Sequence, residues 1–521
     1  MDARRTRWAA TMAAATLVTT GACSVLLDHS ATQCQSDSDC AKFGEHPYCQ
    51  QGVCVSSGLG PADCFYGTPQ QSSDFLNQCT VAECLPFDNC QRLGLCNGQS
   101  NMNAPLLPPP APDAGATTTT TTGDAGATGS GDGGALTLPR CVDPAQGRSQ
   151  AVYLTGSSNF PPLLAKLAPL VVATGYTPVF QVTNSCHGVR AIFGSNPGDG
   201  TITDPAPGSG AKYATYYNAD GTSASCLLGP NGAQVDIGES DIFSTTCTDF
   251  GPPGGDVGEF LGPIQAMVFV VPGKSAQSAI TAEAARAVFG MGGTRASPWT
   301  DPSLYFVRNA NTGTQQIIGH AISVPGGAFW GMDRGTAANV DALMKDIANP
   351  MLANQAIGII SADYYDADRD NLKALAFRAP GQDCAYLPDS TEFKKDKLNV
   401  RDGHYPIWGP VHFFARISSG VPVSPGAQAF VSIVSVPNVP QKLLDAFIAS
   451  SLVPSCAMSV QRSSELGALS PYSAPFRCGC YFEASRAVNG AAPQGCQHCN
   501  TSNDCTDPSR PACNLGYCEV Q

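Results

Sequence analysis

From about residue 148 onward, short apolar runs alternate with amphipathic ones at a spacing that predicts strands and helices in turn. AVYLTG (Ala151–Gly156) and TPVFQVT (Thr177–Thr183) predict strands. Between them, FPPLLAKLAPLVVATG predicts a helix, with Pro161 and Pro162 in its first turn and Gly175 at its exit. Further strands are predicted at QVDIG, AMVFVV, LYFV, AIGIIS and VHFFAR. Further helices are predicted at TAEAARAVFG, from Thr314, over ANVDALMKDIANPML as one piece, and over PQKLLDAFIASS. Strands alternating with helices imply α/β units with largely parallel sheets.

The flanks follow other rules. Arg4, Arg5 and Arg7 precede an apolar run from Trp8 to Val18 and small residues up to Cys23, the order of a secretory signal. The run is shorter than the roughly 20 residues of a membrane span, and no later stretch reaches that length without charge or proline. Thr20-Gly21-Ala22-Cys23 resembles a bacterial lipobox with Thr where Leu is usual, which makes Cys23 the expected lipidation site; an ordinary cleaved signal is the alternative. Arg4-Arg5 resembles a twin-arginine signal but lacks the hydrophobic pair that follows it there. Ser24 after the lipid cysteine fits outer-membrane sorting.

Cysteine usage agrees with export. Twenty-three cysteines suit an oxidising compartment, and removing Cys23 leaves an even number to pair. Cys34, Cys40, Cys49 and Cys54 repeat, nearly in spacing and partly in sequence, as Cys499, Cys505, Cys513 and Cys518. Each unit is too small to bury a core, so cross-links must hold it. Zinc is the rival for Cys496 and Cys499 with Cys478 and Cys480 nearby, but the long spacings favour disulfides. Residues 101–138 turn to Pro, Ala, Gly, Thr and Asp, the composition of an unstructured spacer. The expected domains are therefore a signal (1–22), a cysteine-rich module (23–100), a linker (101–140), an α/β domain (141–490) and a second cysteine-rich module (491–521).

A net charge of −13 and a pI near 4.9 argue against nucleic-acid binding, and any anion site must work by local chemistry. No Gly-x-Ser-x-Gly, His-Glu-x-x-His or Walker-type loop is present, and the histidines, His187, His320, His404 and His412 among them, lack ligand spacing. Asp363, Asp366, Asp368 and Asp370 follow a strand but lack the glycine and distal Glu of a calcium loop, so they are expected to form a solvated acidic turn. What stands out is three small polar turns that each follow a strand and open a helix: Thr155–Asn159, Thr183–Ser185 and Asn309–Thr314. Helix starts offer free N–H groups and partial positive charge, so three that converge suit a tetrahedral oxyanion; taken singly, each is a helix cap.

These residues resemble the phosphate-binding receptors of bacterial ABC uptake systems, within the type 2 periplasmic binding fold. TGSSNFPPLLAKL is similar to the family's T-G-x-G-A-T-F-P opening with one residue deleted, GYTPVFQVTNSCHGVRAI to Y-Q-x-x-x-S-S-G-G-V, and VDIGESDIF to V-D-F-G-A-S-D. Arg308 with Thr312-Gly313-Thr314 is similar to its arginine and S-G-T, AIGIISADYY to the A-I-G-Y strand, and ITAEAARAVFG to the L-T…I-F-x-G helix. The matches keep the family's order over most of residues 148–455. The resemblance implies a two-lobed α/β fold flanked by small disulfide-rich modules, with anion contacts at Asn159, Ser185, Asp241, Arg308, Thr312, Gly313 and Thr314.

In that reading Arg308 gives paired donors and the only full positive charge, and Asp241 accepts from a protonated phosphate and repels sulfate. The implied function is a non-catalytic, lipid-anchored receptor of the cell envelope, without cofactor or metal, that binds phosphate or a similar oxyanion and hands it to an ABC permease or captures it at the surface. The alternatives are a surface adhesion or structural protein on a ligand-less binding fold, and a phosphate-ester hydrolase, which requires a metal cluster or activated nucleophile. Two departures from the family stand out: Ala310 replaces an acid two residues after the arginine, and residues 194–234 interrupt the first lobe. Cys186, Cys226 and Cys247 are expected to bridge among themselves beside the site.

Overall fold

The computed structural model describes residues 48–50, 53–55, 64–94 and 138–520 apart from 207–208, 210, 249, 294–295, 436–438 and 488–494. Cys23, the signal and the linker up to 137 lie outside the described residues. The chain divides into two units. In the smaller, Tyr48–Gln50 pairs with Val53–Val55 so that Cys49 stands opposite Cys54, and Cys64 bonds Cys79.

The larger unit carries the α/β fold. Its first elements are β1 (Ala151–Gly156), α1 (Pro161–Val172), β2 (Thr177–Val182), α2 (Ser185–Phe193), β3 (Ala214–Tyr217), β4 (Ser223–Cys226) and β5 (Ile237–Ser240). There follow β6 (Val257–Pro272), α3 (Ala282–Met291), β7 (Tyr305–Val307), α4 (Gly313–Ile322), β8 (Met332–Asp333), α5 (Ala337–Lys345), α6 (Pro350–Gln355), β9 (Ile357–Ser361) and α7 (Ala362–Ala367). The last are β10 (Leu372–Ala374), β11 (Trp408–Ser418), α8 (Pro425–Val434), α9 (Gln441–Ala449) and α10 (Gly479–Arg486).

One mixed sheet runs in the order β8-β7-β9-β6-β11-β5-β1-β2-β3-β4. Parallel pairs β1–β2, β1–β5, β7–β8 and β7–β9 form the heart of each lobe, as alternation along the chain predicts. The sheet is not largely parallel, however, because the long strands β6 and β11 run antiparallel to their neighbours. The first part of β6, Val257–Ala266, pairs with β11 in the first lobe, and Met267–Val270 pairs with β9 in the second. A strand whose two halves pair in different lobes of the sheet joins two α/β lobes, the plan of the type 2 periplasmic binding fold. Met267–Val271 are fully buried, which suits a shared strand covered on both faces.

Local sequence explains the elements. In α1 the buried Leu163, Leu164, Leu167, Ala168 and Val171 make one stripe against the first lobe's sheet, each such large side chain stabilising by about 1.5–3 kcal/mol. The stretch read as one helix from Ala338 is instead α5 and α6. Asn349 is extended (ψ 117°) because the residue before Pro350 is pushed out of the helical region, and its side chain caps α6 at Met351 N. The interruption at 194–234 holds the β3–β4 hairpin, which extends the first lobe's sheet beyond β2 and is stapled by Cys141–Cys226. Cys226 is therefore not bonded to Cys186 or Cys247, which bond each other and tie the start of α2 to the segment after Asp241.

The acidic turn is solvated only in part: Asp370 is exposed and Asp368 half-buried, but Asp366 is withdrawn from water. Asp366 is almost fully buried, and Lys397 Nζ reaches it at 2.8 Å and Asp389 at 3.0 Å, with Arg369 on both carboxylates and Arg486 on Asp366. Burial pushes the Asp366 carboxyl up, but Lys397, Arg369 and Arg486 together outweigh it and hold it at about 2. Cys84–Cys384 adds a covalent tie to the same region, and Asn89 bonds Thr281 and Glu283 at the head of α3.

After Cys456–Cys478, α10 carries the chain to the terminal repeat. There Cys480–Cys496, Cys499–Cys513 and Cys505–Cys518 are disulfides, so the sulfurs of Cys499, Cys505 and Cys518 lie together as bridges rather than as zinc ligands. Cys513 stands opposite Cys518 in a terminal hairpin, the placement that Cys49 and Cys54 share, so the sequence repeat is also a structural one.

Replacing Lys397 with Ala leaves two buried carboxylates short of their shared cation and is expected to cost about 3–5 kcal/mol in chemical denaturation.

Candidate functional site

The predicted contact residues come from four strand ends. Asn159 follows β1, Ser185 opens α2 after β2, Asp241 follows β5, Arg308 follows β7, and Thr312 caps the start of α4 at Gly313–Thr314. Ends of parallel strands are where open α/β sheets place ligands. Asn184 Oδ1 accepts from His187 N and Thr312 Oγ1 accepts from Gln315 N, so α2 and α4 begin on N-capping side chains.

Two glycines bring α2 onto β5. A Cβ at Gly188 would stand 2.0 Å from the Glu239 carbonyl oxygen, and one at Gly238 would stand 2.1 Å from the Gly188 carbonyl oxygen. Backbone therefore meets backbone, and Ser185, one turn before Gly188, reaches Asp241. Asp241 Oδ2 accepts from Ser157 Oγ at 2.5 Å, from Asn159 Nδ2 at 3.0 Å and from Ser185 Oγ at 3.4 Å. Ser185 Oγ accepts from Gly313 N at 3.1 Å, which brings the start of α4 from the second lobe onto the first. Gly313 is needed there, since a Cβ would stand 2.6 Å from Asp241 Cβ. Asn159 Nδ2 also donates to Thr314 Oγ1 at 3.2 Å.

Six of the seven predicted residues thus share one cluster or border it. The seventh, Thr312, turns its hydroxyl to its own loop, donating to the Asn309 carbonyl at 2.7 Å, and acts as a cap.

Arg308 is 1% exposed. Its Nε donates to the Gly335 carbonyl and its Nη2 to Ser158 Oγ, both at 2.9 Å, so neutral groups replace the acid missing at Ala310. Nη1 is buried without a hydrogen-bond partner, and no carboxylate lies within ion-pair distance of the guanidinium among the described residues. Burial lowers its pKa to about 10, with Asp241, Tyr364, Asp333 and Asp363 opposing the fall, so it stays charged at neutral pH.

The sequence reading missed the carboxyl groups around Asp241. Glu239 is fully buried, accepts from Ser157 N at 2.6 Å, and is pushed well up by burial and by Asp241. The signal was present, since Glu239 occupies the Ala position of V-D-F-G-A-S-D. Asp241 itself is raised by burial. Asp363 is raised to about 6, mainly by burial, while Ser361 and Gln265 hydrogen bonds restrain it. Glu465 comes from far along the chain, and its Oε2 accepts from Phe243 N at 3.2 Å and Thr246 Oγ1 at 3.3 Å. Burial raises it from 4.5 to about 7.

A carboxyl raised on folding adds stability that is full below its unfolded pKa and lost as pH rises through the folded one. Relative to Glu465→Gln, the wild-type chain is expected to lose on the order of 2 kcal/mol between about pH 4.5 and 7, read by urea unfolding at each pH. Gly188→Ala is expected to destabilise by about 3 kcal/mol, because the new methyl meets backbone rather than a side chain that can move.

No protein-family model matches this chain, and no curated protein matches it in sequence. Among solved structures it is similar to a putative phosphate ABC transporter substrate-binding protein with bound phosphate from Clostridium perfringens, at 13% identity and a TM-score of 0.38 over 58% of this chain and 99% of that one. It is similar to an ABC-type phosphate transport receptor from Vibrio cholerae at 12% identity and a TM-score of 0.37, over 58% and 99%. It is also similar to an OxyR mutant from Corynebacterium glutamicum at 8% identity and a TM-score of 0.31, over 58% and 66%. Likenesses this loose carry nothing about a ligand, and the two-lobed architecture rests on the strand order of the chain itself.

Proposed function

We propose that the cleft at Arg308 binds a phosphate-like oxyanion and that the chain is an extracytoplasmic solute-binding protein. The observation that carries this reading is the Arg308 guanidinium, charged, nearly inaccessible and with Nη1 unpartnered. A buried charge without a partner is costly, and a bound anion supplies the partner. Around it stand the α4 start at Gly313 and Thr314, the α2 start at Ser185, and Asn159, all neutral donors. Asp241 stands ready to accept from a protonated oxygen of the anion. Transfer to a membrane permease, anchoring through Cys23 and an envelope location complete the reading.

A second reading has one observation in its favour. Three first-lobe donors converge on Asp241 Oδ2 and Gly313 N is spent on Ser185 Oγ, so much of the cluster satisfies itself. A binding fold retained as a surface scaffold has this property as well.

Calorimetric titration of the oxidised, unlipidated mature chain separates the two. The receptor reading expects phosphate binding, a thermal midpoint that rises with phosphate concentration, and at least tenfold weaker binding in Arg308→Lys, which keeps the charge but loses the planar fork. No heat and no shift with either phosphate or sulfate favours the scaffold.

A further inference from the structure

The polar cluster continues into a second set of buried polar groups. Gln265 lies opposite Gly409 in the β6–β11 ladder, and Met267 lies opposite Ser361 in the β6–β9 ladder. Directly opposed residues share a face, as do residues two apart on a strand. Gln265 and Met267 therefore line one floor. That floor joins the cluster through Thr314, whose hydroxyl donates to Met267 Sδ at 3.5 Å and accepts from Asn159 at 3.2 Å.

On this floor several unmet atoms are acceptors, beside the Ser361 hydroxyl. Gln265 is 3% exposed; its Nε2 donates to Asp363 Oδ1 at 3.3 Å, and its Oε1 is buried with no partner. Glu465 Oε1 is likewise buried with no partner, 3.6 Å from where a Cβ would stand on Gly409, and Asn159 Oδ1 is a third such atom. Charge points the same way. Asp241, Asp363 and Glu465 meet two buried cations, Arg308 and Arg462, and burial raises all three carboxyls toward their neutral forms, and that of Glu239 beside Asp241 most of all. An anion alone further opposes the ionisation of these carboxyls, whereas a ligand that also carries a cation favours it.

We propose that the cleft takes a two-ended molecule, an oxyanion held by Arg308 and the helix starts, and a protonated amine held by Gln265 Oε1, Asp363 and Glu465: an aminoalkyl phosphate or phosphonate. This rests on the oxyanion reading and narrows its ligand. Residues two apart on a strand are about 7 Å apart, so the step from Met267 to Gln265 suits a linker of two or three carbons between the two charged ends.

The test is calorimetric titration of the oxidised mature chain with inorganic phosphate, ethyl phosphate, 2-aminoethyl phosphate and 3-aminopropyl phosphate. At least one amine-bearing ester is expected to bind tenfold or more tightly than ethyl phosphate. Asp363→Asn is expected to bring that ratio close to one, and Gln265→Leu, an independent change, to reduce it as well. If ethyl or inorganic phosphate binds and the amine adds nothing, the inference falls and the oxyanion reading stands. If no phosphate compound binds, both fall. An amine gain that survives both substitutions overturns the assignment of these residues.

Discussion

A guanidinium kept out of water without a carboxylate beside it is the constraint around which this cleft is organised. Arg308 is held by one carbonyl and one hydroxyl, which fix its direction but do not neutralise it. In a low-dielectric surrounding, neighbours must then answer its field from further away. Asp241 and Asp363 do so while themselves raised by burial. The cluster is thus a set of mutually dependent ionisable groups.

The rest of the fold sets how closely those groups approach. Gly188 and Gly238 allow α2 to rest on β5, and Gly313 allows α4 to meet Asp241 across the lobes. Cys186–Cys247 ties the start of α2 to the segment after Asp241, which holds the first-lobe half of the cluster in register. In the second lobe, the Asp366–Lys397–Asp389 network and Cys84–Cys384 fasten the long excursion between β10 and β11. The segment closed by Cys456–Cys478 then delivers Glu465 to Phe243, just after β5.

How much of this was legible depended on whether the signal was local. Apolar periodicity located β1, α1, β2, α3 and α9, because each buries one continuous stripe or run. The β3–β4 hairpin was not legible, since ATYY and SASC lack a clear alternation and the hairpin depends on a disulfide to Cys141. Asn349–Pro350 was a readable helix break that the apolar pattern of the whole stretch obscured. That Asn159, Ser185, Asp241, Arg308, Gly313 and Thr314 lie near one another was legible because they sit in short motifs at strand ends. Thr312 was found with them but serves its own turn. That Gln265, Asp363 and Glu465 join this buried polar cluster was not legible. Gln265 is hidden in an apolar strand, Asp363 reads as part of an acidic run, and Glu465 arrives by a chain path that no local pattern encodes.

The account stands or falls on what neutralises Arg308. The most direct measurement is a crystal structure of the oxidised mature chain grown with phosphate, examined at the guanidinium. The account predicts tetrahedral density within hydrogen-bond reach of Nη1 and of the α4 start. Density showing Nη1 paired to a carboxylate of the chain itself, with no anion between the lobes, would contradict it.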